Sequence, residues 1–147
     1  RAFERALGEE LLRVEGTQSG LALLLAEIDH LGVFARDFGA VAKDDALRRV
    51  AKVVKAQARG YDTLACLDSR RFAMLLPGTD DSEMAAMAAR LRRAVSFLPP
   101  LGRGLRVSIG AAVARPIDAP LDVMQRATSA VEQAMEQGGN QVVVASA

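Results

Sequence analysis

The stretch that decides how this chain is read is Thr63-Leu64-Ala65-Cys66-Leu67-Asp68-Ser69-Arg70-Arg71-Phe72-Ala73-Met74-Leu75-Leu76. Two apolar runs, 63–67 and 72–76, flank a short polar segment, and that pattern predicts a β-hairpin whose turn is Asp68-Ser69-Arg70-Arg71.

Outward from the hairpin, the chain alternates helix-like and strand-like segments. Residues 1–14 carry Phe3, Leu7, Leu11 and Val14 on one helical stripe, and residues 16–20 break it. Residues 21–29 are apolar on both faces, as a central strand should be. Residues 40–58 place Ala46, Leu47, Val50, Val53 and Val54 at helical spacing before Gly60. After the hairpin, Asp80, Asp81 and Glu83 open a helix whose positive dipole end they meet; it runs to Phe97 and stops at Pro99-Pro100. A loop with Gly102 and Gly104 leads to a strand at 105–114, a second loop at 116–120, a helix at 122–136 and a strand at 141–144. This order predicts one α/β domain over residues 1–147, with helices packed against one sheet. Residues 1–20 form a leading helix and linker, and 21–147 the sheet core.

Composition narrows the function classes. With 147 residues, half of them hydrophobic and a quarter charged, the chain can bury a core and is no disordered tail. A formal charge of +1 gives no general attraction to nucleic acid or anionic lipid, and one Tyr with no Trp argues against stacking on single strands. Arginine supplies most of the 19 basic residues. That suits planar, bidentate recognition, and it also fits a bias in base composition together with the many alanines. The single cysteine, Cys66, forms no internal disulfide, so a reducing, cytoplasmic setting is expected, with Cys66 a small core residue. No apolar run approaches the roughly 20 residues that cross a bilayer, and no signal peptide is visible. His30 is the only histidine and has no second ligand nearby, so neither a metal site nor a cofactor is expected.

Several segments, in order, resemble the GGDEF domain of the diguanylate cyclase family. Leu21–Ile28 with Asp29-His30 resembles its first strand and strand-end motif, and Phe38-Gly39, Asp44 and Leu47-Arg48-Arg49-Val50-Ala51 its first long helix. Phe72 to Thr79 resembles its post-hairpin strand and exit turn, Arg106 to Ala112 its penultimate strand, and Gln137-Gly138-Gly139-Asn140 its closing turn. The resemblance implies the nucleotidyl-cyclase palm fold, with a mostly antiparallel central sheet flanked by helices. Arg1-Ala2-Phe3 resembles the continuation of a leading segment, and with no initiating Met the chain is expected to be a domain excised from a longer protein.

In that family two facing domains join two GTP molecules into cyclic di-GMP, using Mg²⁺ held by an acid at the end of the first strand and an acid of the signature hairpin. Here the strand position is Glu27, and the signature is Asp68-Ser69-Arg70-Arg71-Phe72, with arginines where the acids should be. A guanidinium cannot ligate Mg²⁺, which takes hard oxygen donors. Asp68 and Ser69 replace glycines that let the backbone approach the phosphates. The resemblance also maps the phosphate-binding Lys onto Gly32, the guanine-reading Asn onto Ala35, the third-helix Asp, Tyr and Lys onto Thr128, Glu132 and Met135, and an Arg of the closing turn onto Gly139. The guanine-reading Asp is kept as Asp44. A catalytically silent domain with weak or no GTP binding is expected. Arg70 and Arg71 are then either solvated hairpin residues or, more sharply, a counter-charge to Glu27 or Asp29 in place of the metal.

Many members carry an Arg-x-x-Asp motif five residues before the signature, where the product binds as a dimer and inhibits. This chain has Arg59-Gly60-Tyr61-Asp62, with residues 63–67 before Asp68, and Arg90 at the place of a further contributing Arg. A guanidinium can pair with the O6/N7 edge of guanine or with phosphate, and a carboxylate can accept from the N1–H and N2–H₂ groups. The plain alternative is an i,i+3 ion pair near a helix end. The resemblance therefore implies a cyclic di-GMP receptor acting through Arg59, Asp62 and Arg90, coupled to other domains of the same protein or to a partner. A ligand-free dimerisation or docking module, for example beside a phosphodiesterase domain, is the second reading. A residual cyclase or GTP-dependent regulator is the third.

Overall fold

The computed structural model describes residues 2–68, 70–98 and 104–146. Ser69, Pro99, Pro100 and Gly102, together with Arg1 and Ala147, lie outside the described residues.

The fold is organised around β1 (Leu21–Ile28), in which every residue is buried. An apolar strand with no polar face must be covered on both sides and paired on both edges, and this one is. It runs antiparallel to β3 (Arg71–Pro77) and to β4 (Val107–Val113). With β2 (Thr63–Cys66) outside β3 and β5 (Val142–Val144) outside β4, the sheet order is β2-β3-β1-β4-β5. The β4–β5 pairing is parallel and the other three are antiparallel, so the sheet is mixed, as the palm-like fold requires.

Alternation along the strands separates two cores. On one face, Leu21, Leu23 and Leu25 of β1 pack with Ala73 and Leu75 under α1 (Ala2–Val14) and α5 (Pro120–Glu136). On the other, Ala22, Leu24, Ala26 and Ile28 pack with Phe72, Met74 and Leu76 under α2 (Leu31–Phe38), α3 (Ala40–Gln57) and α4 (Asp81–Ser96). No helix among the described residues is long and apolar enough to cross a membrane.

Four expectations need correction. A separate helix, α2, precedes the expected one, and Gly39 at φ 89° forms the joint between α2 and α3. Eight residues around Gly32 carry too short a periodic signal to predict. The strand near residue 105 starts at Val107, although Leu105 is still buried. Cys66 is exposed at the end of the edge strand β2, not in the core. Arg71 belongs to β3 and not to the turn, because the Leu67 N–H donates to the Arg71 carbonyl at 2.9 Å and so closes the hairpin one residue earlier.

Helix ends follow local chemistry. At α4 the Asp80 carboxylate accepts from the Glu83 N–H at 2.8 Å and Glu83 accepts from the Asp80 N–H at 3.1 Å, a reciprocal capping box. The loop before α5 is clamped by Arg126, which grips Asp118 with both terminal nitrogens at 3.0 and 2.8 Å and donates to the Val113 carbonyl at 2.8 Å. Burial pushes the Asp118 carboxyl up, but Arg126 and the Arg115 N–H outweigh it and hold it below its ordinary 3.8. Stability from this pair is full above the ordinary carboxylate value and is lost as pH falls through the lower folded value. Acid titration followed by circular dichroism should show that limb in the parent and a shallower one in Asp118→Asn.

α5 also approaches β4 more closely than any side chain at Gly110 would allow. A Cβ there would fall 2.3 Å from the Val131 nitrogen and 2.4 Å from the Ala127 carbonyl oxygen. Gly110→Ala should therefore cost about 1–3 kcal/mol in chemical denaturation, since the backbone of α5 has to move.

Candidate functional site

Glu27 and Arg71 are direct partners in the antiparallel β1–β3 pairing, so their side chains leave the same face of the sheet. Arg71 Nε donates to Glu27 Oε1 at 2.7 Å, and the two side chains are only 12% and 7% exposed. Arg70 Nε stands 3.9 Å from the same oxygen, with its side chain far more open to solvent. From α5, Glu132 brings a second carboxylate to 3.8 Å from Arg71 Nη2. The sharper sequence expectation is what the geometry shows for Glu27: the counter-charge comes from the hairpin. Glu132 was not foreseen as a partner, though it was legible as an acid standing where the family pattern has Tyr.

Asp29 takes no part in that pairing. Its Oδ1 accepts from the Ser108 hydroxyl at 2.6 Å and its Oδ2 from the Asn140 N–H at 2.7 Å, while its own N–H donates to the Arg106 carbonyl at 2.9 Å. It thus ties the end of β1 to β4 and to the turn before β5. Gly139, onto which the resemblance maps an arginine, lies against this carboxylate: a Cβ there would sit 2.9 Å from the Asp29 carboxyl carbon, on a backbone with φ +76°. Both features favour glycine at this position.

These donors do not fit Mg²⁺. Glu27 faces two guanidiniums within 4 Å, and both Asp29 oxygens already accept hydrogen bonds. Among the described residues no group of three or more His, Cys, Asp or Glu could hold a metal ion.

The remaining positions are scattered. Asp68 Oδ1 accepts from the Arg70 N–H at 2.9 Å and shapes the hairpin turn. Asp44 is exposed on the first half of α3. Between β1 and α2 lies a cleft of about 90 Å³ lined by Asp29, His30, Phe34, Asp37 and Arg106, which Asp44 does not line.

The Arg59–Asp62 turn is the second cluster. It lies just beyond the end of α3, and Arg59 and Asp62 form the i,i+3 ion pair near a helix end that was the plain alternative, here closing a turn. The Arg59 N–H donates to Asp62 Oδ2 at 2.7 Å, and the Asp62 N–H donates to the Arg59 carbonyl at 3.0 Å. The guanidinium then folds back, with Nε 3.1 Å from Oδ2 and Nη2 2.9 Å from Oδ1. Nη2 also reaches the Thr79 hydroxyl at 2.8 Å and the Pro77 carbonyl at 3.2 Å. The Asp62 side chain is 0% exposed, whereas that of Arg59 is 31% exposed. The hydrogen bond with Asp62 raises the Arg59 pKa from its ordinary value against the opposite pull of burial. The Tyr61 ring covers the guanidinium, with Cζ 4.7 Å from the ring centroid. Arg90 is exposed on α4 and its Nη2 lies 3.6 Å from Met87 Sδ; it makes no hydrogen bond to Arg59 or Asp62 among the described residues.

The family profile described as "Diguanylate cyclase, GGDEF domain" matches residues 1–141. The chain is 27% identical over 129 residues to Diguanylate cyclase A of Treponema denticola, covering 84% of this chain and 35% of that protein. It is 28% identical over 148 aligned positions to Diguanylate cyclase DgcP of Pseudomonas aeruginosa, covering 98% of this chain and 22% of that protein. It thus spans about a third or less of these relatives. The GGDEF domain of DgcB from Caulobacter crescentus, solved in complex with c-di-GMP, superposes with a TM-score of 0.93 at 27% identity, covering 99% of this chain and 87% of that one. The chain belongs to the diguanylate cyclase GGDEF-domain family.

Proposed function

We propose that this domain is a catalytically silent GGDEF module that binds cyclic di-GMP through Arg59, Asp62 and Arg90 and passes occupancy to attached domains or a partner. The observation that carries the loss of catalysis is the 2.7 Å bond between Arg71 and Glu27. A cyclase must neutralise charge on two α-phosphates with metal held by carboxylates. Here the strand carboxylate is neutralised by the hairpin itself. Asp68, Ser69, Gly32, Ala35, Met135 and Gly139 remove further groups that the family uses to hold GTP, and each missing charged hydrogen bond removes about 1.5–3 kcal/mol.

Support for the ligand comes from the preserved Arg-x-x-Asp spacing and from a related domain that carries c-di-GMP in its crystal structure. The guanidinium of Arg59 is held at the surface and backed by Tyr61, as a base- or phosphate-binding group should be. The pair is closed on itself, however. Asp62 meets a guanine edge only after Arg59 turns away from it. That closed pair is the observation favouring the second reading, a dimerisation or docking module that needs no ligand.

Calorimetric titration separates the two readings. Cyclic di-GMP should bind with micromolar or better affinity, Arg59→Ala and Asp62→Ala should each abolish the heat, and GTP should stay silent. Incubation with GTP and Mg²⁺ should give no cyclic di-GMP by chromatography. No heat with cyclic di-GMP at high concentration leaves the docking module.

The ion pair makes its own prediction. Arg71→Ala leaves Glu27 buried with only the solvent-exposed Arg70, 3.9 Å away, and should cost roughly 3–5 kcal/mol in urea denaturation. Adding Glu27→Gln should recover part of that loss, so the double-mutant cycle gives a favourable coupling.

A further inference from the structure

We propose that Thr79 is the latch of the Arg59 site, and that opening the site loosens the linker between α1 and β1. This rests on the reading of Arg59 and Asp62 as the ligand site.

Thr79 lies in the turn between β3 and α4 and is 2% exposed. Its hydroxyl donates to the Pro77 carbonyl at 3.3 Å and accepts at 2.8 Å from Arg59 Nη2, the same nitrogen that bonds Asp62. The backbone of the same turn grips the linker. Gly78 N–H donates to the Gly20 carbonyl at 2.7 Å. The contact is so close that a Cβ on Gly20 would fall 2.3 Å from the Thr79 carbonyl oxygen. Arg59 thereby joins the end of α3 to the turn after β3, and the Gly78 backbone of that turn continues to the linker that leads from α1 into β1.

A guanine edge reaches the Asp62 carboxylate only if Arg59 swings outward. The same rotation takes Nη2 off Thr79 and Pro77, leaving a buried hydroxyl without its charged donor. The β3–α4 turn then keeps its capping box but loses its tie to the end of α3, and its grip on Gly20 weakens. Coupling of this kind is reciprocal: whatever strains the linker from the α1 side favours the open site and raises its affinity.

Thr79→Val keeps the shape of the side chain and removes the hydroxyl, and Thr79→Ser keeps the hydroxyl. Cyclic di-GMP titration and amide exchange at Gly78 are the readouts. Thr79→Val should bind about tenfold tighter than the parent, because a competitor for Arg59 is gone, and its ligand-free Gly78 amide should exchange faster. Thr79→Ser should match the parent in both. In the parent, adding cyclic di-GMP should itself speed exchange at Gly78, a test that needs no variant to fold. A Thr79 that merely supports the fold would give weaker binding in Thr79→Val. Unchanged or weaker binding there, or slower Gly78 exchange on ligand addition, overturns the latch. If no form binds cyclic di-GMP, the ligand reading fails by itself. The ligand-free exchange of Thr79→Val against Thr79→Ser then decides whether Arg59 and Thr79 tie down the turn: equal exchange in the two overturns the latch.

Discussion

A carboxylate at the buried end of a central strand must have a counter-charge, because desolvating it alone costs several kcal/mol. Glu27 is the one charged residue in β1, where all eight positions are buried. Two kinds of partner meet that constraint: a metal ion or a cationic side chain. The β1–β3 register puts Arg71 directly opposite Glu27, and the hairpin closes one residue early so that Arg71 sits on the strand with its guanidinium in reach. Glu132 on α5 then brings a second acid to the other side of Arg71. Acids from β1 and α5 thus flank the guanidinium of the hairpin strand.

Much of the architecture was legible because hydrophobic periodicity decides it. The all-apolar run of β1 demanded covering layers on both faces, and the stripes of α1, α3 and α5 supplied them. What periodicity could not show were features set by single backbone or tertiary contacts. The short α2 is one, delimited by the positive φ of Gly39 and not by a long apolar stripe. The exposure of Cys66 is another: a four-residue edge strand gives its last side chain to solvent, and sequence does not say which strand is the edge.

The candidate sites divide along the same line. That Arg70 or Arg71 would answer Glu27 followed from charge alone. That Asp29 would be occupied by Ser108 and Asn140 did not, since those partners lie 79 and 111 residues away. At Arg59–Asp62 the motif was visible and its state was not. The pair is closed on itself, and its outer support, Thr79, carries no signal beyond following a strand. If the pair is the ligand site proposed above, binding gives up these internal bonds, and affinity and conformational change are then set by the same side chain.

The proposed loss of catalysis rests on Arg71 standing where a metal ion would otherwise balance Glu27. Mn²⁺ titration followed by paramagnetic broadening of backbone amide signals tests it most directly. The account predicts no localised broadening at the ends of β1 and β3 with Mn²⁺ at millimolar concentration. Saturable broadening centred on residues 27 and 71 would mean that the carboxylate still captures a divalent cation, and would contradict it.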